Sequence, residues 1–164
     1  MRYLGIDPGY ALVGWAVVDI ADDRKINLCD YGVISTEKGD PLEVRLAEIY
    51  HDMCGIIEEF KPEIAGIETL IFHRNVTTAM KVSEARGVII LALEGSKVKT
   101  YHISPLQVKN SISGYGRATK NQVQENVRIM CGLDDIPRPD DAADAVAVAI
   151  ATCDISYDER LLGR

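Results

Sequence analysis

The order of apolar patterns along the chain predicts an α/β fold, a five-stranded mixed sheet with helices on both faces. Three observations predict it. Three strand-like runs follow one another through short polar links, which makes an antiparallel meander. A long stripe of helical period comes next. After it, short apolar strands alternate with helical patterns, the mark of βα crossovers.

The opening run Met1-Arg2-Tyr3-Leu4-Gly5-Ile6-Asp7 reads as a central strand with an acid at its tip, and Pro8-Gly9-Tyr10 turns the chain. Val13 to Ile20 is rich in β-branched and aromatic residues and forms the second strand. After the polar turn from Ala21 to Lys25, Ile26 to Thr36 forms the third. Leu42, Leu46, Ile49, Met53, Ile56 and Phe60 then draw one apolar helical stripe, with Asp40 as its N-cap and Pro62 at its end. Glu63 to Ile67 is a short buried strand that ends at Glu68. Asn75 caps a second long helix to about Leu93, closed by Gly95. Lys97 to Ile103 is the fifth strand. Ser104-Pro105 opens a short helix, Gly114 to Arg117 forms a mobile basic loop, and Thr119 to Met130 is helical. A last helix, capped by Asp140 or Asp141, runs from Ala142 to about Cys153.

The 164 residues suit one domain with a sizeable core, expected over 1–153 with a flexible tail over 154–164. Arg2 leads straight into strand pattern, with no signal-peptide h-region, and the longest apolar run, Gly87 to Leu93, is too short to span a bilayer. The expectation is therefore a cytoplasmic protein that does not enter membranes. The four cysteines are scattered without a C-x-x-C pair, which argues against zinc and reads as core packing.

The net charge of −7 hides a segregated distribution. Residues 1–72 hold 6 Lys/Arg against 14 Asp/Glu, residues 73–138 hold 10 against 5, and residues 139–164 hold 2 against 6. A basic block between acidic ones suits a polyanion, although a solvated helical face gives the same count.

The acids then fall into a pattern. Asp7 and Glu68 each end a strand, and in a sheet of this kind the first and fourth strands are parallel neighbours, so both acids emerge at one edge. Asp141 and Asp144 share one face of the last helix, whose first turns are otherwise nearly all Ala and Val. Asp7 alone could cap a turn, and Asp141 alone could favour a helix start. Four carboxylates converging without basic partners repel unless Mg²⁺ or Mn²⁺ lies among them. Two such ions would serve phosphodiester hydrolysis.

These residues resemble the RuvC family of Holliday-junction resolvases over about residues 1–153. Gly5-Ile6-Asp7-Pro8-Gly9 with Gly14-Trp15-Ala16 is similar to the family's opening. Ile67-Glu68, Asn75 to Ala79 and Glu84-Ala85-Arg86-Gly87 are similar to its central segment. Gln107-Val108-Lys109, Lys120 to Val123 and Asp141-Ala142-Ala143-Asp144-Ala145 are similar to its later blocks. The resemblance implies an RNase H-like fold, a homodimer, and Mg²⁺-dependent paired nicking of four-way junction DNA in recombination and repair. It casts Asp7, Glu68, Asp141 and Asp144 as catalytic metal-binding acids, with two Mg²⁺ per subunit on substrate and Mn²⁺ able to substitute. It places Lys109 and Lys120 at backbone charge near the scissile phosphate. It also implies a preference for T-containing cleavage sequences and coupling to the RuvA–RuvB branch-migration machinery.

One departure concerns the junction wedge. Many family members carry an aromatic three residues after the matching Glu, where this chain has Ile71, with Phe72 next. Either Phe72 stacks on bases or Ile71 acts as an apolar wedge, while core packing of Phe72 also fits. His73 and Arg74 suit phosphate contact, His73 is also a candidate base, and Tyr115 and Arg117 are further candidate DNA contacts. Two alternatives remain within reach: an RNase H-like ribosomal-RNA processing nuclease, and a catalytically silent junction-binding module. An actin-like ATPase or sugar kinase would need a longer chain and a second phosphate-binding Gly turn.

Overall fold

The computed structural model describes residues 1–21, 23–70 and 76–163, with the Val76 side chain outside that description. Ten elements follow in order: β1 (Arg2–Asp7), β2 (Leu12–Ile20), β3 (Ile26–Ser35), α1 (Leu42–Phe60), β4 (Ile64–Glu68), α2 (Val76–Gly95), β5 (Lys99–Ile103), α3 (Pro105–Ser113), α4 (Lys120–Met130) and α5 (Asp140–Leu161). The five strands form one sheet in the order β3-β2-β1-β4-β5. β1 pairs antiparallel with β2 and parallel with β4, and β4 pairs parallel with β5. The expected mixed sheet, with β1 beside β4, is therefore the observed one.

Period-two alternation along β1 divides the core. Leu4 and Ile6 point to the face covered by α1 and α2, where they meet Ile49, Met53, Ile89 and Leu93. Tyr3 points to the other face, against α5 and its Ala145, Val146, Ala149 and Ile150. Both strand-end acids lie at the carboxyl edge of β1 and β4, where Ile6 pairs with Ile67.

α5 lies unusually close to the sheet. A Cβ at Gly5 would fall on the backbone of Ala145 and Ala149, and one at Gly14 would fall on the Asp141 carbonyl. The alanines of α5 and these strand glycines let helix and sheet approach at backbone range. That approach carries the first turns of α5 over the tips of β1 and β4.

The ends of several elements differ from expectation. Asp40 does not cap α1: Pro41 is its N-cap, with no side-chain hydrogen bond. Neither Asp140 nor Asp141 caps α5; Pro139 does, and both acids stand in the first turn. Charge near a helix N-terminus favours acids there without requiring a cap. The buried row of α1 also holds Arg45, which donates to Thr36 Oγ1 at 2.8 Å and to the Tyr10 carbonyl at 3.0 Å. A buried guanidinium satisfied by these acceptors ties α1 to the turn that follows Asp7.

α5 does not stop near Cys153 but continues through most of the expected tail to Leu161. Polar anchors hold the extension. Ser156 is buried and donates to the Cys153 carbonyl at 3.0 Å, Arg160 donates to Tyr3 Oη at 3.1 Å, and Tyr101 Oη donates to Glu159 at 2.8 Å. Polarity there marks hydrogen bonding to β1 and β5 rather than fraying.

Candidate active site

Asp7 ends β1, and Ile6 beside Ile67 brings it level with Glu68 at the end of β4. Asp141 and Asp144 come from the first two turns of α5, pressed over those strand tips by the small residues beneath. All four side chains belong to half-buried residues.

Their proximity is expressed in their electrostatics. Burial, then the charges of Glu68, Asp144 and Asp141, push the Asp7 carboxyl up to about 8, with Lys120 opposing. Burial and then the Asp144 charge push Glu68 up to about 7, against an Asp7 hydrogen bond and the charges of Lys120 and Lys109. This is an acidic site short of positive charge.

Lys120, the first residue of α4, supplies part of that charge. Its Nζ lies 2.8 Å from Asp144 and 3.5 Å from Asp140. Burial opposes its charge most strongly, yet the Asp144 hydrogen bond and the charges of Asp144 and Asp140 leave the ammonium raised. The lysine is positioned by its helix start. Thr119 caps α4 with a full capping box, accepting from the Gln122 amide while Gln122 accepts from Thr119. Ser104 and Gln107 build the same box on α3, which carries Lys109. Glu68, Lys109, Lys120 and Asp144 rim a cleft of about 190 Å³, floored by Pro105, Val108, Val123 and Ala147.

Among the described residues, no three His, Cys, Asp or Glu side chains close round one point as a ready metal cage. The Lys120 ammonium instead stands as a cation on Asp144. Four carboxylates, two with strongly raised pKa values and one already paired with a cation, form a hard-oxygen donor set suited to a hard divalent ion.

Of the other expected contacts, Tyr115 and Arg117 are exposed on the loop between α3 and α4. The Tyr115 hydroxyl donates to Gln122 Oε1 at 2.9 Å, which fastens that loop to the α4 cap. Ile71, Phe72, His73 and Arg74 lie outside the described residues. A larger cleft of about 360 Å³, with Met1, Tyr3, Arg24 and Arg160 in its walls, lies at the opposite end of the sheet, away from the acids.

Sequence reasoning missed two partners of this site. Asp140 was only a cap candidate, yet it faces Lys120 and accepts from Arg138 Nη1 at 3.0 Å. Its i, i+4 spacing from Asp144 was the available signal. Arg86 on α2 donates to the Glu68 carbonyl at 3.2 Å and lies 2.6 Å from His102 Nδ1. No local spacing reveals that link between helix and strand end.

A family model described as "Crossover junction endodeoxyribonuclease RuvC" matches residues 3–152. A protein of that name from Finegoldia magna is 49% identical over 150 residues, covering 92% of this chain and 91% of the relative. Another, from Thermotoga petrophila, is 47% identical over 149 residues, covering 91% and 90%. Among solved structures, T. thermophilus RuvC in complex with Holliday junction substrate superposes with a TM-score of 0.92 at 32% identity, covering 96% of each chain. The carboxylates at the tips of β1 and β4 and at the start of α5 thus sit in a sheet of known lineage: this chain belongs to the RuvC family of crossover junction endodeoxyribonucleases.

Proposed function

We propose that this chain is a structure-selective endodeoxyribonuclease that resolves four-way DNA junctions by symmetric paired nicks, in recombination and repair. The observation that carries the reading is that Asp7, Glu68, Asp141 and Asp144, from three separate elements, come near enough for the charges of the other three to raise the Asp7 carboxyl, with Lys120 opposing there and Lys109 opposing at Glu68.

Asp7, Glu68, Asp141 and Asp144 would hold Mg²⁺, two ions per subunit on substrate, with Mn²⁺ as a substitute. When bound there, the ions supply Lewis acidity for phosphodiester hydrolysis, in which water oxygen bonds to phosphorus as one ester P–O bond breaks. The chain's own part is positioning and charge. Asp7 and Glu68 give up the protons that burial and mutual repulsion favour, and so become anionic donors. Lys109 and Lys120, on the rim of the cleft, bind backbone charge close to the reacting phosphate. Tyr115 and Arg117 extend that surface, and Ile71, Phe72 and Arg74 are the proposed wedge and phosphate contacts beyond Glu68.

A homodimer would present two such sites to the two-fold junction. Exposed Met80 and Leu91 on α2, together with the open space at Gly87, support that face as the dimer seam. We also propose coupling to the RuvA–RuvB machinery and a cytoplasmic location, readings that membership of the family supports. Among the described residues, no helix is long and apolar enough to cross a membrane.

The test sets the purified protein with Mg²⁺ against a synthetic four-way junction, a matched duplex and a structured RNA in parallel. Paired nicks confined to the junction are expected. Cutting of RNA in preference to the junction would move the reading to an RNA-processing nuclease.

A further inference from the structure

Asp140 belongs to the same face of α5 as Asp144, one turn earlier, and the Lys120 ammonium lies between the two. The two oxygens of Asp140 have different partners. Oδ1 accepts from Arg138 at 3.0 Å, while Oδ2 faces Lys120 at 3.5 Å. Asp144 holds the same ammonium more closely, at 2.8 Å.

Lys120 and a divalent cation are rivals for Asp144. Like charges a few ångströms apart repel, so an ion on Asp144 must drive the ammonium off. A lysine released to solvent would swing on four rotatable bonds and lose its placement at the site. We propose that Asp140 is a positioning residue for Lys120, a second seat that lets the lysine yield Asp144 to a divalent cation without leaving the site. Arg138 keeps Asp140 turned so that Oδ2 faces the lysine. Both Lys120 pairs involve side chains about one-third to one-half exposed, so neither pair is strong and the exchange is easy. The inference rests on the carboxylate reading above.

The test is a double-mutant cycle on Mn²⁺ binding to the full-length protein without DNA, read from the electron paramagnetic resonance signal of the free ion. Lys120→Met removes the rival and is expected to tighten binding by about fivefold or more. Asp140→Asn is expected to weaken binding by a similar factor in the otherwise unchanged protein, and by less than about twofold in the Lys120→Met background. Asp140→Glu should restore the original affinity. Equal weakening by Asp140→Asn in both backgrounds would show a general field effect and overturn the proposal, as would Lys120→Met without tightening. Asp7→Asn separates the two levels. If it leaves Mn²⁺ binding intact, the carboxylate reading itself fails; if the unchanged protein shows no saturable binding, no ion displaces Lys120 from Asp144 and the proposal fails. If it removes binding while the cycle is additive, only the role of Asp140 fails.

Discussion

Gly14 lies against the backbone of Asp141, whose carbonyl oxygen occupies the space that a Cβ at position 14 would need. Gly14 is also the β2 partner of Asp7. One glycine thus sets the distance between the tip of β1 and the first turn of α5.

Gly14→Ala is expected to displace the start of α5 and cost about 1–3 kcal/mol through overpacking. Single-turnover junction cleavage should fall roughly 10–100-fold, because small misplacements of reacting groups are costly. Junction binding by gel shift should persist. Gly39→Ala, with open space around position 39, should leave stability within about 0.5 kcal/mol.

The raised carboxyls fix a pH dependence. Asp7 rises from 3.8 to about 8 and Glu68 from 4.5 to about 7, so the folded protein binds more protons than the unfolded chain between those values. Their contribution to stability is full below about pH 4 and is lost as pH rises through about 7 and then 8. In chelator, urea unfolding should show stability falling from pH 5 to 8, by on the order of a few kcal/mol. Asp7→Asn should flatten that slope. Mg²⁺ should bind more tightly as pH rises, because binding displaces the protons. A slope of opposite sign over pH 5–8 that Asp7→Asn leaves untouched would contradict this description of the site.

Lys109 contributes to the positive rim beside Glu68. Lys109→Ala should weaken junction binding for all sequences alike. In a salt titration, the slope of log binding constant against log salt should lessen by about one. An unchanged slope would remove Lys109 from the DNA surface.

The C-terminal turns of α5 support the fold rather than the site. Ending the chain after Cys153 removes Ser156, Glu159 and Arg160 from their contacts with Tyr3, Tyr101 and the Cys153 carbonyl. The loss should lower stability by about 2–4 kcal/mol, seen as a lower urea midpoint. Cleavage at low temperature should persist, because Tyr3 and the acids occupy opposite ends of β1.

The sheet was legible in the sequence because its strands are short, apolar and separated by turn residues. The pairing of β1 with β4 followed from crossover geometry, and it alone aligned Asp7 with Glu68. The i, i+3 spacing of Asp141 and Asp144 placed both on one helix face. What was not legible depends on contact across the chain. That Arg45 belongs to the buried row of α1 depends on its acceptors on Thr36 and Tyr10, which no local spacing marks. The continuation of α5 to Leu161 rests on Tyr3 and Tyr101, far away in sequence. The ion pairs of Lys120 required the packing of α4 against α5. The question of Ile71 against Phe72 lies outside the described residues.

In the proposed function the carboxylates at the sheet edge carry the chemistry while the basic surface carries the binding. Asp7→Asn tests it most directly, assayed on a synthetic four-way junction in Mg²⁺ for cleavage and in parallel for binding. Paired nicking is expected to fall by at least about a thousandfold, with junction affinity within severalfold of the unchanged protein. Full cleavage by Asp7→Asn, or equal cutting of duplex and junction by the unchanged protein, would contradict it.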